Sequence, residues 1–488
     1  VGVILVAAGL RFYHLASQPL WYDELAAVSL ATVQGGVKGI WSVRYYPHPP
    51  LFAILLRMVF KGFTPGEFSA RLLPVVSGLV AFPLLYRYTA DIASRRTALV
   101  AVMLLALSPF HIFFSQDTRP YTLMFTLVVL TLWVLHRALE TNGALWWVAH
   151  GACILALLYL HFFDWSIVAG EVLYILLCWR RYRRGLVPFG LSLLACVLAV
   201  PPVYNLLLDS QGIGRLLVLD AVPVSISFAS TWKTLATGES WYVSRLVRSV
   251  AVVALGLLGM AGCVHWGRRQ PRVLVLMLSM LAVPFLSVFV VLRVLGYVVP
   301  PYEERQFMIV LPIVLVLVAS GVEFLRRSQG PRVAAKLGPA LAACLLVVLL
   351  GSNVMALGGY YTRFEKNRDI RVIEYLASRV EPGDAIICQG SSMAMNIEFH
   401  WDEGIPVELV AYPLSVDGDW RFSRRLSIVP VDSLQWDVSM DDLLSHPRVW
   451  LVAQDGFDSP EFATEMQNVA PLVLVAPVAP FTVYLFAP

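Results

Sequence analysis

Leu20-Trp21-Tyr22-Asp23-Glu24 sets two adjacent carboxylates shortly after the first apolar run of the chain, Val1 to Leu10. Carboxylates at a bilayer edge are costly to desolvate, and an acid held there can serve as a base or a metal ligand. The same dipeptide also reads as a solvated loop opening a helix, because acids are favoured in a first turn. The rest of the chain decides between the two.

Of 488 residues, 58% are hydrophobic and 14% charged, with a mean hydropathy of +0.70. A soluble domain has no use for so much apolar surface, so the composition predicts an integral membrane protein. The net charge of +4 is spread over short loops and acts as a topology signal, which argues against a nucleic-acid partner. The six cysteines show neither a disulfide framework nor metal-type spacing. Residues 1–16 read as a shortened transmembrane helix and not as a cleaved signal peptide, since no basic segment precedes the run and no small-residue cleavage site follows it.

Further apolar runs predict spans near 72–90, 97–115, 120–138, 144–161, 164–180, 186–207, 246–266, 272–294, 306–325 and 337–357, about eleven helices in all. Charge tests the count. Arg95-Arg96, His136-Arg137, Arg180 to Arg184, Arg268-Arg269 with Arg272, and Arg326-Arg327 through Lys336 fall at alternate loops, which makes that side cytoplasmic. Outer loops are then 17–71, 116–119, 162–163, 208–245, 295–305 and the tail from 358. Leu51 to Phe60 is too short to span, and counting it would invert every later loop, so it is expected to be re-entrant or interfacial. Another short surface helix is expected between Glu24 and Trp41.

The tail predicts a small α/β domain. It has a helix over Arg368 to Val380 and strands at Ala385 to Gln389, Val407 to Ala411, Val449 to Ala453 and Phe481 to Phe486. Cys388, Ser391-Ser392 and His400 lack nucleophile-elbow spacing and read as structural.

Outer loops hold most of the unusual polar residues: Asp23, Glu24, Tyr45-Tyr46-Pro47-His48-Pro49-Pro50, Arg71, Ser115-Gln116-Asp117-Thr118-Arg119-Pro120-Tyr121, His161-Phe162-Phe163-Asp164, and Glu303-Glu304-Arg305-Gln306. Plainer readings stand beside the functional ones. Asp117 and Arg119 can be a structural ion pair, His48 can shape a proline loop, and Arg305 can be a snorkelling anchor. Their gathering on one face favours an outward site at membrane depth. There a carboxylate can deprotonate an acceptor hydroxyl while arginines neutralise a departing phosphate.

At these residues the chain resembles the GT-C membrane glycosyltransferases of the family 39 type, which includes protein O-mannosyltransferases and aminoarabinose transferases. The matching pieces are Leu20 to Glu24, His48-Pro49-Pro50-Leu51, Ser69 to Pro74, Ser108-Pro109, Ser115 to Tyr121, His161-Phe162-Phe163 and Glu304-Arg305-Gln306 with Leu311-Pro312. The resemblance implies a GT-C transmembrane domain over 1–357 and an extracytoplasmic α/β domain over 358–488. It implies inverting transfer from a polyprenyl-phosphate sugar to a lipid, glycan or protein acceptor, in a bacterial plasma membrane. By similarity Asp23 is expected to be the catalytic base and Glu24 its support, with Asp117 a second acid and Arg119 holding its loop. Arg305 is expected to contact the donor phosphate, and Arg71, His48, Tyr121 and His161 to line the cavity. Many relatives carry Glu where this chain has Asp117, and the family divides over metal dependence, so no metal or other cofactor is assigned. The runner-up readings are a lipid transporter or flippase, which would distribute charges along a through-path, and a non-catalytic scaffold.

Overall fold

The computed structural model describes residues 2–43, 48–199, 224–238, 243–293, 304–327, 332–389, 391–401, 408–412, 445–454, 463–464, 466–468 and 470–487. Tyr45 to Pro47, most of the loop at 208–245, Pro300 to Glu303 and Val407 lie outside them. The chain divides into two compact units: Val1–Leu15, Pro47–Thr64 and Phe68–Phe364, and Ala16–Tyr46, Pro65–Glu67 and Glu365–Pro488.

The first unit is helical. It contains α1 (Gly2–Phe12), α4 (Leu51–Phe60), α5 (Glu67–Ile92, from Phe68 on), α6 (Arg95–Ala106), α7 (Pro109–Ser115), α8 (Tyr121–Thr141), α9 (Ala144–Leu158), α10 (Trp165–Leu177) and α11 (Leu186–Ala199). It continues with α12 (Val224–Thr237), α13 (Arg245–Arg269), α14 (Pro271–Arg293), α15 (Leu311–Arg326) and α16 (Arg332–Arg363). Among the described residues, five helical stretches are long and apolar enough to cross a membrane: Glu67–Ile92, Tyr121–Thr141, Arg245–Arg269, Glu304–Arg326 and Leu337–Arg363. The span expected at 97–115 is instead two helices, α6 and α7, bent by 61°. Pro109 lacks an N–H to continue the ladder, and Ser108 caps the second helix by accepting from the His111 N–H. α4 has ten residues, too few to span.

α15 is the axis of this unit. Every residue from Leu311 to Glu323 is buried, as expected of a helix that is apolar all round. It packs most closely on α13 through two glycines. A Cβ on Gly321 would stand 1.9 Å from the Leu258 carbonyl oxygen, and one on Gly262 would stand 2.0 Å from that of Leu317. Small residues let helices approach without a hydrophobic drive, as membrane packing requires. α5 and α8 are joined by polar groups. The Pro74 carbonyl accepts from the Ser77 and Thr122 hydroxyls at 2.9 and 3.1 Å, and Thr126 donates to Ser77 O at 2.8 Å.

The second unit is α/β. Its sheet runs β2 (Glu408–Tyr412), β1 (Ala385–Gln389), β3 (Val449–Gln454), β5 (Phe481–Phe486), β4 (Leu472–Val478). β1 pairs in parallel with β2 and β3, and β5 pairs antiparallel with β3 and β4. Helices α17 (Ile370–Ala377) and α18 (Ser391–His400) belong to the same unit. The four expected strands are present, while β4 and α18 escaped the sequence reading. β4 has a mostly exposed face at Leu472–Val475 and carries a proline, so it lacks the alternation that marks a half-buried strand. The same unit holds the stretch after α1, where two helices, α2 (Tyr22–Thr32) and α3 (Gly36–Ser42), replace the single one expected. Gly35 and Gly36, with φ of 82° and 68°, make the break.

Gly321→Ala is expected to lower stability in detergent by about 1–3 kcal/mol, read as a fall in apparent Tm. Gly256→Ala, where a Cβ meets nothing within 4 Å, should leave it unchanged.

Candidate active site

Five of the residues singled out in the sequence come together in the helical unit: His48, Arg119, Tyr121, His161 and Arg305. Arg119 sits in the five-residue turn between α7 and α8, where its N–H donates to Asp117 O at 2.7 Å. Its guanidinium Nη2 donates to His48 Nε2. A guanidinium can only donate, so His48 accepts through Nε2 and carries its proton on Nδ1. The His48 and His161 rings lie 4.9 Å apart, and Tyr121, the first residue of α8, lies 5.8 Å from His161. The Arg305 guanidinium stands over the Tyr121 ring at 5.8 Å, within range of a cation–π contact.

His161 N-caps the short turn Phe162–Asp164 by accepting the Phe163 N–H on Nδ1 at 3.1 Å. Its proton is therefore on Nε2. Burial, then Arg119 and Arg305, push the His161 pKa down to about 3. Burial, then Arg119, His161 and Arg305, hold His48 well below the usual imidazole range. Two arginines thus share the cluster with two neutral imidazoles. Asp164, three residues on from His161, is fully buried and neither carboxyl oxygen has a hydrogen-bond partner. Burial raises its pKa well above the usual carboxylate value.

The remaining candidates have different settings. Asp117, two residues before Arg119, is fully buried. Arg71, also buried, donates from Nη1 to Leu15 O at 2.8 Å. In the α/β unit, Asp23 and Glu24 open α2 but differ in environment. Asp23 is partly exposed, whereas Glu24 is buried and pairs with Lys366 Nζ at 3.1 Å. Among the described residues no three His, Cys, Asp or Glu side chains converge as a metal site would require.

Residues 47–205 match the family described as dolichyl-phosphate-mannose-protein mannosyltransferase. The fold matches ArnT from Cupriavidus metallidurans in the apo state with a TM-score of 0.60, at 14% identity over 99% of this chain and 97% of that one. It matches the same protein bound to undecaprenyl phosphate with a TM-score of 0.61, at the same identity and coverage. The chain has the GT-C fold. No curated protein sequence matches it.

In this GT-C chain the turn bearing Asp117 and Arg119 is held by residues to which the sequence reading gave no role. Gln116 Nε2 donates to Arg11 O at 3.0 Å and Tyr13 O at 2.7 Å, at the end of α1. Its Oε1 accepts from the Tyr360 hydroxyl at 2.8 Å, and the neighbouring Tyr361 hydroxyl donates to Leu10 O. Arg11, fully buried, reaches back to Leu105 O at 3.2 Å and to His111 Nδ1 at 2.9 Å. Gln116 stands in a quoted motif, but nothing in the sequence joins it to Tyr360, 244 positions away.

Because both imidazoles are neutral when folded and protonate near 6.5 when unfolded, the unfolded state binds more protons between these values. Their stabilisation is complete above about pH 6.5 and is lost as pH falls from there toward about 3. Apparent Tm of the purified protein is expected to fall over that window, and His161→Gln should flatten the slope.

Proposed function

We propose that this GT-C chain is an inverting glycosyltransferase that takes a sugar from a polyprenyl-phosphate donor and passes it to a lipid, glycan or protein acceptor. The observation that carries the reading is the pair of guanidiniums, Arg119 and Arg305, set among neutral imidazoles and a tyrosine ring. A phosphate is the anion such a site suits, since arginine offers paired donors and never loses its charge. The matched ArnT structure bound to undecaprenyl phosphate supports a lipid-linked donor. Positive-inside topology supports reaction on the extracytoplasmic face, with the α/β unit outside a bacterial plasma membrane.

In this mechanism Asp23 is the base. Its partial exposure suits a group that must meet an acceptor hydroxyl, while Glu24 is engaged with Lys366. The acceptor oxygen attacks the anomeric carbon opposite the phosphate as Asp23 takes its proton. The sugar–phosphate bond breaks with oxocarbenium character, and the phosphate leaves as an anion. Arg305 and Arg119 stabilise that charge, so no general acid is needed. Asp117 is the second acid of the site, and Arg119 also helps hold the turn that carries it. A transporter reading draws on one observation, the fully buried His150–Glu171 pair at 3.1 Å between α9 and α10. One pair inside the helices is less than the through-path transport needs, and the transferase reading is preferred.

Release of polyprenyl phosphate from a panel of polyprenyl-phosphate sugars, with lipid and peptide acceptors, tests the proposal. Asp23→Asn should lower release by roughly 10²- to 10⁴-fold, the usual worth of a general base, with donor binding retained. Arg305→Ala should weaken donor binding by about tenfold to a hundredfold, the loss of one charged hydrogen-bonding group. Equal release by wild type and Asp23→Asn would sink the reading.

A further inference from the structure

The segment bearing Asp23 and Glu24 is held by residues of the tail that no motif marked. The Leu20 carbonyl accepts from Asn367 Nδ2 at 2.7 Å, and His400 Nε2 lies 3.2 Å from the same oxygen. Gln18 Oε1 accepts the Lys366 N–H at 2.6 Å. Asn367 Nδ2 also donates to Asn396 Oδ1 at 2.7 Å, and Asn396 Nδ2 donates to Asp369 Oδ2 at 3.1 Å, which anchors the clamp to α17 and α18. At its centre is the Lys366–Glu24 ion pair, at 3.1 Å with side chains only 4% and 0% exposed. Glu24 also accepts the Trp21 N–H at 3.4 Å through its other oxygen, closing the first turn of α2 on itself.

We infer that Lys366 is a positioning residue for the base: by fixing Glu24 it sets the first turn of α2, and with it the direction of Asp23. Successive residues on a helix are turned by about 100°, so Glu24 locked inward leaves Asp23 on the accessible side. An ion pair withdrawn from water resists loosening, because either partner left alone is a buried uncompensated charge. The tail thereby belongs to the reaction machinery through Lys366, Asn367 and Asn396. This inference rests on Asp23 being the base of the proposed transferase.

Two readouts on the full chain test it. Backbone hydrogen exchange over residues 20–26 reads positioning without reference to catalysis. Lys366→Met should raise exchange there and leave α5 and α8 unchanged. Glu24→Gln combined with Lys366→Met removes both charges and keeps an acceptor for Trp21, and should restore much of the protection. Steady-state release of polyprenyl phosphate reads the consequence: Lys366→Met should lower kcat by about a hundredfold, as a displaced catalytic group does, with donor KM unchanged and partial recovery in the double variant. Unaltered exchange at 20–26 in Lys366→Met overturns the inference whatever the activity. A raised KM with kcat intact also overturns it, by making Lys366 a donor-binding group. If wild type releases nothing while the exchange pattern appears as expected, the clamp stands and the transferase assignment fails.

Discussion

A helix ends with carbonyl groups that have no partner within the helix, and inside or beside a bilayer there is little water to satisfy them. In this protein the end of α1 meets that requirement with side chains from three distant segments. Gln116 binds the carbonyls of Arg11 and Tyr13, Tyr361 binds that of Leu10, and Arg71 binds that of Leu15. Each cap carries its own element with it. The turn bearing Asp117 and Arg119, the start of α5 and the end of α16 are located by one set of desolvated carbonyls. Because Gln116 also accepts from Tyr360, this turn is tied at once to the first and last helices of its unit.

From that placement the electrostatics follow. Arg119 at a fixed position imposes acceptor character on His48 Nε2, and its charge helps keep both His48 and His161 neutral. Neutral imidazoles add no positive charge to that of the two arginines. They can still donate hydrogen bonds to an anion without adding to the repulsion between the guanidiniums.

The α/β unit solves a related problem with a different device. Glu24 cannot be buried as an anion alone, and Lys366 supplies the compensating charge from a segment that looks, in sequence, like an ordinary solvated run, Glu365-Lys366-Asn367-Arg368. Neighbouring carboxylates thereby acquire different environments. Asp23 stays within reach of solvent while Glu24 becomes part of the structure.

The membrane class, most of the long helices and four of the five strands were legible in the sequence. Hydrophobic runs, charge alternation and β-rich segments are local properties that survive any change of partner. The break at Ser108-Pro109 is masked because the apolar run continues through it. β4 hid because an exposed strand lacks alternation. Only the tertiary structure decided that Gln116 meets Tyr360, that Glu24 meets Lys366, and that Arg119 and Arg305 share His161. Those pairings depend on which buried polar groups find each other across hundreds of residues, and a linear chain carries no local mark of a partner that burial alone makes necessary.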